Sequence, residues 1–375
     1  MSEKRILIAS LLKPVNDTRM YEKLGLSLSK LPDTEVHICG FAAPLPLSAP
    51  GNVIFHPLFN FKRLGLGRLT AQLAYYRLLQ SLKPDLIIAG THELLLPSYF
   101  YCRMYKAKLV YDVRENYALN LRKQNNYNAV LKRLLALGVE RIEKLVAPAV
   151  AHFILAEKCY TSELSFHQKR YTILENKYKK QQHYSTPKTP VNLEGQPLRL
   201  LYSGTISQEY GIFDAIKLAA RLHAHEPLTT LTIIGYCAHN ETWQKVQQLI
   251  KGKKYITVIG GHQLVPHTEI IAQMAHCNIG LLPYQPNEST FSCIPTKLYE
   301  YMAHGLVILI TQNPIWQAIV QQHQAGVCIN FSGVHVEELV GQVKHQPFYT
   351  FGVPAGIFWE EEETKLLRIV QDTLS

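Results

Sequence analysis

The chain has 375 residues, 47% of them hydrophobic and 18% charged, with a formal net charge of +10. That length predicts two domains, and that balance excludes an intrinsically disordered chain. No run of about 18 consecutive apolar residues occurs, so no spanning helix is predicted.

The charge is unevenly placed. Residues 1–190 hold 28 Lys and Arg against 14 Asp and Glu, a surplus of +14, whereas residues 191–375 hold 11 against 15, a balance of −4. A basic first half is either a plain solvated surface or a face that meets an anionic partner: a membrane, a lipid-phosphate carrier or a nucleic acid. The basic stretches at 106–108, 122–123, 132–133 and 177–180 interleave with Tyr and Leu, which suits an interface as well as nucleic acid. The seven cysteines are scattered without a CxxC pair, as in reduced cores, and predict neither a disulfide frame nor a zinc site. The opening MSEKRILIAS places charges before a short apolar run that stops at Lys13-Pro14 with no small-residue cleavage site. It predicts a buried first strand rather than a secretory signal, hence a cytoplasmic location.

Residues 5–10 (RILIAS) predict that strand, and 17–31 a helix with Asp17 as its N-cap. Residues 35–39 predict a strand, 68–82 a helix ended by Lys83-Pro84, 85–89 a strand and 92–105 a helix. A strand at 109–112 and a long amphipathic helix at 128–147 follow, then late strands at 151–155 and 171–174. Residues 181–197, polar and rich in proline, read as a linker between an N-terminal domain (1–180) and a C-terminal domain (198–357). The pattern then restarts, with strands at 199–202, 230–234, 256–259, 279–283 and 307–311 alternating with helices at 212–224, 240–251, 268–275 and 296–303. Two doubly wound α/β domains follow, with ligands beyond the carboxyl ends of the strands and the cleft between the domains as the natural site.

Residues 279–311 carry the most chemistry. A strand ends at Pro283-Tyr284, a polar loop follows, and Pro295-Thr296 opens a helix with Thr296 or its neighbour as cap. Such a helix start offers free N–H groups and a positive dipole end to a diphosphate. Lys297 in the first turn opposes that dipole, and phosphate charge would account for it. Glu300, one turn further, is placed to accept hydrogen bonds from ribose hydroxyls. Read without a ligand, the same residues are an ordinary surface helix.

Residues 295–311 (PTKLYEYMAHGLVILIT) resemble the signature of GT-B-fold glycosyltransferases of the retaining, family 4 type, in its Pro-Ser/Thr-Lys-Leu-x-Glu-Tyr-Met-Ala variant. Ser292 stands where that signature has its first Glu. Residues 200–211 (LLYSGTISQEYG) resemble the family's strand–Gly–Arg–Lys–Gly loop. Gly204 and Gly211 keep its spacing, while Thr205 and Tyr210 replace its two basic residues. Asp17-Thr18-Arg19 resembles the Asp-x-Arg stretch after the first strand. Thr91-His92-Glu93 resembles the acceptor-side His-Asp/Glu, and residues 110–115 (VYDVRE) a Val-Tyr-Asp-x-His-Glu strand with Arg114 in the His place. Gly260-Gly261-His262 resembles the loop that meets the nucleotide base, and residues 358–374 the closing helix that crosses back to the N-terminal domain.

The resemblance implies a GT-B fold of two Rossmann-like domains facing a cleft. It implies a UDP- or GDP-sugar donor and no obligatory cofactor or metal. The donor site implied comprises Gly204, Thr205, His262, Tyr284, Pro295, Thr296, Lys297 and Glu300. Asp17, Arg19, His92 and Glu93 are implied on the acceptor side, with His92, Arg114 and Glu115 as candidates for catalysis. Read as residues alone, Asp17 is equally a helix cap, Arg19 a partner for Glu22, and Glu115 a partner for Arg114. The implied reaction is sugar transfer with retention to a glycan or lipid-linked acceptor in cell-surface polysaccharide assembly. The basic first half, rather than the resemblance, suggests peripheral contact with an anionic membrane, and nucleic acid is not expected. A non-catalytic subunit of this fold and a nucleotide-sugar epimerase are the alternatives.

Overall fold

The structure, a computed structural model, describes residues 3–46, 48–61, 65, 67–123, 128–167, 170–287 and 291–375. The acid nearest to Ser292 in sequence, Glu288, lies outside them. The chain divides into two compact units, Met1–Lys179 with Trp359–Ser375, and Lys180–Phe358.

In the first unit, β1 (Lys4–Pro14) leads through a wide-turned helix, Thr18–Gly25, into α1 (Leu26–Leu28) and then β2 (Thr34–Phe41) and β3 (Val53–Phe59). Next come α2 (Gly67–Leu82), β4 (Leu86–Ala89), α3 (Leu95–Tyr105) and β5 (Lys108–Val113). The half closes with α4 (Tyr117–Lys123), α5 (Ala129–Val146), β6 (His152–Leu155), α6 (Tyr160–Glu163) and β7 (Tyr171–Ile173). The strands form one sheet in the order β3-β2-β1-β4-β5-β6-β7, with parallel pairing throughout. Its inner strands are apolar runs because helices cover both faces.

The second unit holds β8 (Arg199–Thr205), α7 (Ile212–His225), β9 (Thr230–Tyr236), α8 (Asn240–Ile250), β10 (Ile256–Gly261), α9 (His267–His276) and β11 (Ile279–Leu282). It continues with α10 (Thr296–Ala303), β12 (Val307–Ile310), α11 (Pro314–Gln322), β13 (Gly326–Cys328) and α12 (Val336–His345). Its sheet, also parallel, runs β10-β9-β8-β11-β12-β13. In both sheets the strand order reverses beside the first strand, at β1/β4 and at β8/β11. Ligands of doubly wound folds bind at such points, beyond the carboxyl ends.

The chain then returns to the first unit through α13 (Glu360–Leu374). Trp359, Leu366 and Val370 join Ile6, Ile8, Leu24, Val36 and Ile88 in one buried cluster. The Trp359 indole donates to Ser27 Oγ at 2.9 Å, and buried Glu362 accepts from Lys177 at 2.8 Å. Residues 181–197 fold within the second unit: Val191 pairs with Phe348, and Leu193 is buried.

Several elements differ from the sequence expectation. β3 was not expected; it contains Pro57, and three of its seven residues are exposed. As the edge strand it tolerates both. The helix expected at 17–31 ends at Leu28, and its first two turns are wider than α-helical. Helices α4, α11 and α12 were not expected either. α11 does carry a legible start, Asn313 accepting from the Ile315 and Trp316 amides with Pro314 at its first turn.

α5 buries a carboxylate. Glu143 is 4% exposed and accepts a hydrogen bond from the Tyr111 hydroxyl at 2.8 Å. Burial pushes its pKa from the ordinary 4.5 up to about 7. The folded chain therefore holds a proton there that the unfolded chain has lost, so stability falls as pH rises between these values, and the loss is complete above them. Glu143→Gln is expected to be more stable than the natural chain at pH 8, by about 3 kcal/mol at most, and equal to it near pH 5. Chemical denaturation of both at each pH checks this; the same gap at both pH values would contradict it.

Candidate active site

The second unit carries an open pocket of about 300 Å³ at the β8/β11 reversal, lined by Ser203, Gly204, Thr205, Tyr210, Tyr284 and residues 293–297. Two glycines make the surrounding loop possible. Gly211 opens α7 at φ +72, where a Cβ would stand 1.9 Å from the Pro283 carbonyl, so the loop after β8 lies directly against the end of β11. Gly204 has φ +111, and a Cβ there would stand 3.5 Å from Lys297 Cε. Lys297 thus lies over a residue without a side chain.

α10 opens at this pocket. Its N-cap is Pro295, which supplies no side-chain hydrogen bond to the first-turn amides. Lys297 Nζ donates to Glu300 Oε2 at 2.5 Å, and His267 Nε2 stands 3.3 Å from Glu300 Oε1. Glu300 is 4% exposed. Burial alone would raise its pKa, but the Lys297 charge and the contact with His267 hold it well below the usual carboxylate range. His267, the first residue of α9, was not anticipated; its only sequence signal is its place at a helix start just after the β10 loop.

An aromatic wall faces the same pocket. Tyr284 packs edge-on against Tyr210 at 4.7 Å and against Trp316 at 5.5 Å, and burial pushes its hydroxyl pKa far up. Tyr210, where the resembled loop has a cation, is part of this wall. Thr205 ends β8, its carbonyl accepting from Tyr202. Ser292 is exposed and does not line the pocket, whereas its neighbour Cys293 does. The Trp316 indole pins the Cys293 carbonyl at 2.7 Å, and Asn313 pins that of Phe291 at 2.7 Å. His262 lies apart from this group, after β10, with Nδ1 3.2 Å from the Cys237 carbonyl and its ring 5.5 Å from Trp243.

In the first unit, Asp17, His92, Glu93, Arg114 and Glu115 gather at the carboxyl ends of β1, β4 and β5. Asp17 accepts from the Arg19 and Met20 amides, capping the helix, and from Arg114 Nη2 at 2.7 Å. Burial opposes its ionisation, yet Arg114 and Lys13 keep its pKa lowered. Glu115 is likewise lowered, against burial, by Lys13 at 3.4 Å and Arg114. Glu93 pairs with Arg68, and the His92 ring packs at 4.8 Å from Tyr117. Burial lowers the His92 pKa. Tyr117 donates to the Gly90 carbonyl at 2.8 Å, and Gly90 is flanked by Ser10 and Arg114. Among the described residues, Ser10 Oγ, His92 Nδ1, Glu93 Oε2 and Arg114 Nη1 are buried and make no hydrogen bond, His92 Nδ1 and Glu93 Oε2 standing 3.4 Å from each other. Each such atom costs about 1–3 kcal/mol if left dry, so their clustering marks a place that takes water or a polar ligand.

Arg19 departs from the acceptor-side expectation. It is 2% exposed, clamps Asp112 with Nε and Nη2, and gives Nη1 to the Leu174 carbonyl and Asn176. Its partner is Asp112, not Glu22, and its guanidinium ties β1's helix to β5 and the segment after β7. Among the described residues, no three His, Cys, Asp or Glu side chains are grouped to hold a metal ion.

Residues 187–345 match the family model of glycosyl transferases group 1. No curated protein matches the chain. Among solved structures, the chain is similar to sucrose-phosphate synthase from Thermosynechococcus elongatus, with a TM-score of 0.70 at 12% identity over 98% of both chains. It is similar to Anabaena HepE in complex with UDP, with a TM-score of 0.64 at 13% identity over 98% of this chain and 100% of that one. It is also similar to WaaG, a glycosyltransferase involved in lipopolysaccharide biosynthesis, with a TM-score of 0.64 at 13% identity over 98% of both. The chain has the GT-B fold, two Rossmann-like α/β units shared with glycosyltransferases, and its second unit carries the match to the glycosyl transferases group 1 domain.

Proposed function

We propose that this chain moves a sugar from a nucleotide-diphosphate sugar to a glycan or lipid-linked acceptor, with retention, in the assembly of a cell-surface polysaccharide. The observation that carries the reading is the Lys297–Glu300 pair at the start of α10, beside the β8/β11 reversal. Glu300 is held ionised and keeps lone pairs for ribose hydroxyls. Lys297 has three N–H donors and uses one on Glu300. The others, with the first-turn amides and the bare backbone at Gly204, suit a diphosphate. When the bond from the sugar to the diphosphate breaks, negative charge grows on that phosphate, and a cation and helix dipole fixed beside it stabilise it most at that moment. The UDP bound in HepE, and the UDP-glucose bound in another structure of that protein, favour a uridine donor. The acceptor belongs with the first unit, where Asp17, His92, Glu93, Arg114 and Glu115 gather.

One observation favours a second reading, a binding subunit without turnover: Thr205 and Tyr210 bring no charge to the pocket, and Ser292 does not line it. One assay separates these two readings from each other and from an epimerase. The enzyme releases nucleoside diphosphate only when acceptor is present, a binding subunit releases none, and an epimerase acts without acceptor.

In a thermal-shift panel of UDP- and GDP-sugars, the true donor at 100 times its Kd is expected to add about 2.7 kcal/mol of stability. No shift with any nucleotide or nucleotide sugar would sink the proposal. Gly204→Ala places a Cβ at a strained positive φ beneath Lys297, at a cost of about 1–2 kcal/mol. It is expected to abolish most of the donor shift while leaving the chain folded by circular dichroism; an unchanged shift would place the diphosphate elsewhere.

A further inference from the structure

Three helices of the first unit, α2, α3 and α5, pack side by side on one face of its sheet. The opposite face is closed by α13 and the helix after β1. Tyr75 of α2 meets Ser98 of α3 at 3.0 Å, and Glu143 of α5 meets Tyr111 of β5. Their inward stripes are ordinary: Tyr75 and Leu79 in α2, Ala136, Val139 and Val146 in α5.

The outward stripes are not. An amphipathic helix on a sheet normally turns polar residues to solvent. In α5, Val130 is 70% exposed and Leu134 61%, followed by Leu137 and Leu145 on the same side at helical spacing. In α2, Leu69 and Leu73 project outward one turn apart, and in α3 so do Phe100 and Met104. Of the 19 large exposed hydrophobic residues among those described, 11 lie on these three helices. That concentration makes one apolar face rather than scattered surface residues.

The charge on this face has one sign. α2 and α3 contain no acid, and α5 has two: Glu143, which is buried, and Glu140, which pairs with Arg122. Arg77, Arg103, Arg133, Arg141 and Lys144 are exposed among the apolar residues. Leu and Phe interleaved with Arg and Lys on one surface match an interface with apolar chains beneath anionic headgroups. No helix among the described residues is long and apolar enough to cross a membrane, so contact of this kind is peripheral.

We propose that the outward face of α2, α3 and α5 docks this chain on an anionic lipid bilayer, with the apolar residues entering the headgroup boundary and the arginines pairing with lipid phosphates. This locates the membrane contact implied by the basic first half, and it stands without any assumption about the sugar donor.

The test uses the full chain and sedimentation with vesicles of phosphatidylcholine, alone or in equimolar mixture with phosphatidylglycerol. The chain is expected to sediment with the mixed vesicles and to stay in solution with phosphatidylcholine alone. Raising salt from about 0.1 M to about 1 M shrinks the screening length from about 10 Å to about 3 Å and should release a large share of it. Leu134→Glu in α5 and Leu73→Glu in α2, made separately so that one folded variant suffices, should each lower the vesicle partition coefficient about tenfold. Both should leave the melting curve and any nucleotide shift unchanged, so failure of docking and failure of the donor site are read separately. No binding to the anionic vesicles, or undiminished binding by the folded variants, would overturn the proposal. So would a wild-type dimer in light scattering that Leu134→Glu dissolves, since the face would then be covered by a second copy.

Discussion

A carboxylate in a buried place stays ionised only if cations and hydrogen-bond donors surround it, and Glu300 meets that condition in α10, one turn after the Lys297 that lines the second unit's pocket. Its two oxygens face Lys297 and His267, which come from the first turns of α10 and α9. Those helix starts lie where they do because the parallel strands β10 and β11 deliver the chain to the same edge of the sheet. The loop after β8 can close over that edge because Gly211 allows its backbone to touch Pro283. The site is thus a product of topology first and of side chains second. Parallel strands collect loop ends at one edge, glycines let them approach, and one ion pair polarises the space between.

The first unit uses paired ions differently. Arg19–Asp112 is closed on itself, buried and saturated with further bonds to Leu174 and Asn176, and so behaves as a structural clamp. Removing one partner of such a pair leaves a buried charge uncompensated, which costs about 3–5 kcal/mol. Asp17–Arg114 is left open. Among the described residues, Arg114 Nη1 and Ser10 Oγ nearby make no hydrogen bond, and His92 Nδ1 and Glu93 Oε2 have only each other, at 3.4 Å. Saturation distinguishes the two pairs: a group with no hydrogen-bonding capacity left holds the fold, and a group with spare capacity at a strand's end is available to a ligand.

Much of the architecture was legible as runs of apolar residues, because strands buried on both faces have no room for polar ones. β1, β4, β5, β8, β11 and β12 all read this way. β3 was not legible, since an edge strand with Pro57 and an outward face looks like a loop. The π-type turns after Asp17 left no periodic mark. In the candidate site, Lys297 and Glu300 were legible because a lysine in a first helical turn opposes the dipole and calls for a reason. The long-range partners were not. Arg19 reads naturally with Glu22 in sequence, yet its carboxylate lies 93 residues away in β5. His267 reaches Glu300 across 33 residues, a distance no local pattern encodes. The outward leucines of α5 were half legible, as basic stretches mixed with Leu and Tyr, but their exposure emerges only once the opposite stripe is seen packed on the sheet.

What the Lys297–Glu300 pair binds decides the function of the second unit's pocket. Titration calorimetry of the full chain with a nucleoside diphosphate and with its parent nucleoside, repeated on Lys297→Met and Glu300→Gln, reads this directly. Lys297→Met is expected to weaken the diphosphate by about tenfold to a hundredfold more than it weakens the nucleoside, the worth of a charge-assisted hydrogen bond to phosphate. Glu300→Gln is expected to weaken both, since the ribose is common to them. Equal affinities across the natural chain and both folded variants would contradict the assignment of this pocket to the nucleotide.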